Sequence, residues 1–177
     1  MADKAFTIKF KDRTNVLFCD VDVSVSSLTI AKPEFTRFTA IWDTGATNTV
    51  ITKNVVDKLK LKPIGRTQVK TASGTHDCNV YLVDVMLPNR IGIRPVRVTE
   101  GILADMDVLI GMDIIGIGDF AVSSDPKTNS TVVSFRIPNS GAIDFVKTEQ
   151  AKKKANSKKK SSKRKQERQN RKNGRKK

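Results

Sequence analysis

Ala40-Ile41-Trp42-Asp43-Thr44-Gly45-Ala46-Thr47-Asn48-Thr49-Val50-Ile51 is an apolar strand that runs into an Asp, a small-residue turn and a second apolar pair. Asp and Gly are common where strands end in turns, so the tripeptide Asp43-Thr44-Gly45 says little alone. At average residue usage, about a few per cent of chains this long contain one by chance. Its surroundings decide what it means.

On both sides the chain reads as strand. Phe6, Ile8 and Phe10 alternate with Thr7, Lys9 and Lys11, and Val21, Val23 and Val25 alternate with Asp and Ser. This period of two is that of half-buried strands. Residues 35–42, 80–87, 91–98 and 131–137 are rich in β-branched or aromatic side chains and predict further strands. Turn signals separate them at Lys32-Pro33, Ser73-Gly74, Pro88-Asn89 and Pro138-Asn139-Ser140-Gly141. Thr52 can cap a short helix through Leu59, with Val55, Val56 and Leu59 on one face, and a single turn follows Gly111 over residues 113–115. Seven or so short strands with two small helices predict an all-β domain, a sandwich or a barrel.

In that frame the segment resembles the active-site motif of aspartic proteases. There an apolar strand leads to Asp-Thr/Ser-Gly, then Ala, then Ser/Thr and a Val or Ile, and residues 43–50 match at each of those positions. A second likeness comes about 65 residues on, at Asp107-Val108-Leu109-Ile110-Gly111-Met112-Asp113-Ile114-Ile115. In the retropepsin-like branch, a strand ending in Ile/Leu-Gly and a short helix pack behind the catalytic loop. Between the two, Val69-Lys70-Thr71-Ala72-Ser73-Gly74-Thr75 and the strand after it resemble the flap, a hairpin that closes over substrate. Gly at its tip suits a turn with positive φ. The chain is similar to bacterial or cellular retropepsin-like proteases more than to retroviral ones. Retroviral enzymes usually carry an Asp or Asn after the Ala and an Arg after the Ile-Gly. Thr47 and Met112 stand there, so both partners of that charge pair are missing together.

The resemblance implies a retropepsin-like acid protease domain and a role for each matching residue. Asp43 is the catalytic group; Thr44, Gly45, Ala46 and Thr49 build and support its loop. Ala72, Ser73 and Gly74 contact substrate from the flap, and Ile110 and Gly111 pack behind the site. Hydrolysis by this chemistry needs two carboxyls, one to take a proton from water and one to polarise the carbonyl. The chain holds a single Asp-Thr-Gly: Asp77, Asp105, Asp107, Asp113, Asp119 and Asp144 all lack the Thr/Ser-Gly that should follow. A protease built from it is therefore a homodimer with two Asp43 carboxyls across the axis. Carboxylates about 4 Å apart repel by about 4 kcal/mol at an effective dielectric near 20, so the pair would share one proton. The ionised member would act as base on a water and the protonated one as donor to the carbonyl. No cofactor or metal is called for. Thr44 would lock the two loops together, and Gly45 would donate its N–H to the carboxylates.

The formal charge is +15, from 33 Lys and Arg against 18 Asp and Glu. From Lys147 to Lys177 lie 16 of those basic residues and 2 of the acidic ones, leaving 17 and 16 for the rest. The expected division is a near-neutral protease domain at 1–146 and a basic tail at 147–177. From Ala151 onward the tail has no Phe, Tyr, Trp, Leu, Ile, Val or Met, so it has nothing to form a core and is expected to be disordered in isolation. A block of one charge reads as an arm for non-specific nucleic-acid binding, and without aromatics it cannot stack on bases. The competing function is a catalytically silent dimerisation module that carries this arm.

Other classes drop out. Apolar runs are too short to span a membrane, and residues 1–6 have no apolar stretch to serve as a secretory leader. Cys19 and Cys78 with a lone His76, read as a solvated loop residue, give neither a metal-type spacing nor a disulfide framework. The reading is a cytoplasmic, metal-independent protein. Trp42 beside Asp43, with the apolar flap, suggests an apolar cleft.

Overall fold

The computed structural model describes residues 4–71 and 74–173. The chain divides into two units, Met1–Ser140 and Gly141–Lys177. Among the described residues the first carries ten strands: β1 (Lys4–Lys9), β2 (Phe18–Val25), β3 (Thr36–Trp42), β4 (Val50–Ile51) and β5 (Gly65–Thr71), then β6 (Gly74–Leu87), β7 (Ile91–Glu100), β8 (Val108–Ile110), β9 (Asp119–Asp125) and β10 (Ser130–Ile137). Two short helices, α1 (Lys53–Leu59) and α2 (Met112–Ile115), lie between them.

Strands β2, β3, β8, β4, β7 and β6 pair in that order, and β2 pairs again with β6, which closes a six-stranded barrel. β5 continues the sheet outside β6, and β1, β10 and β9 form a separate antiparallel sheet. The barrel is filled by β-branched side chains, among them Val21, Val23, Ile51, Val83, Val85, Ile91, Val98, Val108 and Ile110, none more than 1% exposed. Each contributes about 1.5–3 kcal/mol of burial. The alternation of Val21 and Val23 against Asp20 and Asp22 does what its period predicts, with the valines inward.

Trp42 sits in the aromatic part of this core, not in a cleft. Its ring stacks on Phe120 at 5.2 Å and lies 6.1 Å from Phe6 and 5.5 Å from Phe135. The indole N–H donates to Cys19 Sγ at 3.2 Å. Burial pushes the Cys19 thiol up to about 11, against the smaller lowering effect of that hydrogen bond. Trp42 is the last residue of β3 and is buried, whereas Asp43, just after it, is half-buried.

Several boundaries differ from the pattern reading. β4 and β8 have two and three residues, too few for a periodicity to register. β9 mixes Asp and Ser among its apolar residues and was not among the expected strands; β10 pairs with it. β6 begins at Gly74, so His76 lies in a strand opposite Val69 rather than in a loop. Thr52 precedes α1 in extended backbone, yet its side chain makes no capping hydrogen bond and its Oγ1 is buried without a partner among the described residues.

The second unit also departs from expectation. Among its described residues it carries one helix, α3 (Phe145–Asn173), where disorder was expected, with every side chain from 145 to 167 exposed. Lys, Arg, Gln, Glu and Ala are all good helix formers, a local preference that an argument from missing core does not weigh. The break between units falls at Ser140, slightly before the change in charge.

Candidate active site

Asp43 follows the last residue of β3, and its backbone N–H donates to Ile110 O at 3.0 Å, so β3 and β8 end side by side. The chain then turns. Gly45 N–H donates to Asp43 Oδ1 at 2.8 Å, and Ala46 N–H to Asp43 O at 3.3 Å. A Cβ on Gly45 would stand 3.1 Å from that same carboxylate oxygen, so the small residue lets the amide reach it. Asp43 is half-buried and Thr44 and Gly45 are exposed, whereas Trp42, Thr49 and Gly111 around them are buried. The loop is therefore anchored at the back and open at the front.

The anchor is β8 and α2. Met112 N–H donates to Ala46 O at 2.8 Å, and Asp113 N–H to Thr47 O at 3.1 Å. These bonds join the two segments that the missing charge pair of Thr47 and Met112 would otherwise have linked. Gly111 N–H donates to Thr49 Oγ1 at 3.2 Å. The Asp113 carboxylate accepts from Thr49 N–H at 3.0 Å, from Thr49 Oγ1 at 2.8 Å and from Ile114 N–H at 3.0 Å. Thr49, fully buried, thus bridges the two motifs.

Asp113 was not among the site residues expected from sequence. Its signal was nevertheless present: one carboxylate inside the apolar run Val108–Ile115 has to find donors. Asp113→Ala is expected to leave the Thr49 amide and hydroxyl unpaired in the interior. The loss should be about 2–4 kcal/mol of stability, lowering Tm by about 10 °C, with weaker cleavage from a displaced loop. Calorimetry checks it; an unchanged Tm would mean that the carboxylate does not hold the loop.

β5 and β6 form the hairpin expected as the flap, in register from Gly65↔Val80 to Thr71↔Gly74. Gly74 has φ +128°, a backbone that L side chains rarely adopt. Ala72 and Ser73 lie outside the described residues. Beyond Val80 toward the tip, the described ladder pairs β6 with β5 alone, and a two-stranded ribbon is marginal by itself. At its root, Glu100 accepts from Asn79 Nδ2 at 3.1 Å and from the Tyr81 hydroxyl at 2.8 Å. Burial and that carboxylate raise the Tyr81 phenol above its usual range. Among the described residues no group of three His, Cys, Asp or Glu could hold a metal.

A family model described as "gag-polyprotein putative aspartyl protease" matches residues 33–116, the stretch from the strand before Asp43 through α2. A crystal structure of a retropepsin-like aspartic protease from Rickettsia conorii superposes with a TM-score of 0.51 at 13% identity, covering 77% of this chain and 96% of that one. The fold is that of the retropepsin-like aspartic proteases. EIAV protease complexed with the inhibitor HBY-793 aligns at TM-score 0.44 and 18% identity, over 58% of this chain and 86% of that one. The retroviral protease-like domain of Ddi1 from Leishmania major aligns at 0.39 and 18%, over 70% and 95%. No curated protein matches the sequence.

Two apolar residues beside the loop are less buried than their neighbours. Ile41 lies two residues before Asp43 and pairs in parallel with Leu109. Both are half-buried while their neighbours Ala40, Trp42, Val108 and Ile110 are buried.

Proposed function

We propose that this chain is an aspartic endopeptidase, active as a homodimer in which two Asp43 carboxyls activate one water. The observation that carries the reading is the Asp43 loop: its carboxylate is held by Gly45 N–H, its back is fixed by Thr49, Asp113 and Gly111, and its front is open. One such loop supplies one carboxyl, and general acid-base attack on an amide uses two. A second copy related by a two-fold axis supplies the other and brings the two Thr44 hydroxyls together. The ionised Asp43 takes the water proton as the oxygen attacks the scissile carbonyl. The protonated Asp43 donates to the developing oxyanion, and collapse of the tetrahedral intermediate passes a proton to the leaving nitrogen. Gly74 and its neighbours in the flap lie over the substrate backbone, and Ile41 and Leu109 receive apolar side chains.

The protein acts in the cytoplasm on this reading, with both cysteines as free thiols. Its basic tail is assigned to nucleic acid through phosphate contacts.

Cleavage of casein from pH 3.5 to 7.5, followed over a wide range of enzyme concentration, tests the proposal. Below the dimerisation constant the rate should rise with about the square of concentration. A rate that stays linear on dilution to the monomer would exclude the shared site, and no cleavage by a demonstrated dimer would favour the silent module.

A further inference from the structure

We infer that double-stranded nucleic acid assembles the active dimer: a duplex that seats two protomers by their tails raises their local concentration and switches cleavage on. This rests on the dimeric protease proposed above.

The charge geometry of α3 carries the inference. Between Lys152 and Lys165 there are 9 basic residues in 14 positions and no acidic one. As a helix these positions span about 20 Å, which is roughly one positive charge per 2.3 Å. A nucleic-acid duplex carries about one negative charge per 1.7 Å of axis. Helical winding therefore gives the tail, summed over its faces, an axial charge density near that of a duplex. Drawn out as an extended strand, the same residues would fall to about one charge per 5 Å. The side chains of this stretch are all exposed, so the cations on whichever face meets a duplex are available to phosphates. With no aromatic residue in the tail, single strands gain no stacking. No apolar face accompanies the charges from Ala151 onward, which removes the anchor a membrane surface would need.

The link to activity is mass action. A loop that supplies one Asp43 per chain leaves the protomer inactive, so activity follows dimer concentration. Two protomers on one duplex meet at an effective concentration of order millimolar, and such tethering can strengthen association by about 10²–10⁴-fold. A template also has a signature that an allosteric ligand lacks. When duplexes outnumber protomers each duplex holds one chain, and activity must fall again.

The test uses the full chain well below its dimerisation constant, with casein as substrate. The additions are a duplex RNA of about 30 base pairs, a DNA duplex of the same length, a hairpin of about 8 base pairs, and phosphatidylserine vesicles. Each long duplex is titrated through equivalence at low salt. The expected result is a rise of about 10-fold or more near equivalence, then a fall, for at least one long duplex and not for the short hairpin or the vesicles. A rise with only one of RNA and DNA supports the inference and names the source. The full-length variant with Lys152, Lys153, Lys154, Lys158, Lys159 and Lys160 each changed to Gln, measured against its own duplex-free rate, should lose the response. A flat titration, a rise without a fall, an equal response to hairpin or vesicles, or an undiminished response in that variant would each overturn it. Sedimentation of Asp43→Asn with the same duplexes reads pairing without cleavage. Pairing there in a chain whose wild type never cleaves keeps the assembly inference and removes the protease; cleavage indifferent to duplex does the reverse.

Discussion

Asp43→Asn is expected to lower casein cleavage by about 10³-fold or more while leaving Tm within a few degrees of wild type. Positioned acid-base groups contribute about 10²–10⁴-fold each, and one substitution in a homodimer removes both carboxyls. The fold should tolerate it because an Asn Oδ1 can accept the same Gly45 N–H that Asp43 Oδ1 accepts at 2.8 Å. Pairing should not suffer either, since two neutral amides bring no like-charge repulsion to the axis and can hydrogen-bond to each other. Lost activity with intact dimer would therefore be a chemical loss. Casein cleavage that survives in Asp43→Asn would place the chemistry elsewhere in the chain.

Mixing the two proteins sharpens the result. Above the dimerisation constant, adding an equal amount of Asp43→Asn to a fixed amount of wild type leaves about half the wild-type homodimers. A tenfold excess leaves about one in eleven, as random pairing dictates. A site complete within one chain would show no such inhibition, because the added protein would neither gain nor remove a carboxyl. The mixing curve thus reports directly on whether Asp43 is shared.

How far the sequence could be read depended on the length of each signal. β2 and β3 carry enough alternation for their inward faces to be assigned, and Asp43-Thr44-Gly45 lies at the end of β3 as the apolar run before it implies. The likeness around Ile110-Gly111 pointed to the strand and turn behind the loop, and β8 and α2 stand there. What could not be read was whatever depends on pairing across the barrel. The two residues of β4 become a strand only because β8 lies on one side and β7 on the other. Trp42 was misassigned for the related reason that the aromatic rings packed on it, Phe6, Phe120 and Phe135, come from distant parts of the chain. Asp113 was missed because its donors on Thr49 are 64 positions away. The helical tail was missed because weighing apolar content left out intrinsic propensity.

Gly111→Ala should damage the Asp43 loop and the fold together. Gly111 has φ −94° and ψ −174°, extended backbone that any residue can adopt, so conformational freedom is not what the position needs. Space is what it needs. A Cβ there would lie 2.6 Å from both the carbonyl carbon and the oxygen of Asn48, and 3.0 Å from Ala46 O. All three are backbone atoms of the Asp43 loop, so no side chain can swing aside and the loop itself has to move. Added methyls in a packed interior cost about 1–3 kcal/mol, and a rigid backbone neighbour puts this one at or above the top of that range. A fall in Tm of about 10 °C should follow. Displacing the loop also strains the Met112 to Ala46 and Gly111 to Thr49 bonds that hold Asp43 in place. Misplacement by about 1 Å is enough for a loss of about 10²-fold in rate. Gly65→Ala serves as the contrast, since nothing stands within 4 Å of a Cβ there, and its Tm should stay close to wild type. Equal thermal stability of Gly111→Ala and Gly65→Ala would contradict the packing of β8 and α2 against the Asp43 loop. A stable but slow Gly111→Ala enzyme would show that the contact positions the catalytic loop more than it holds the fold.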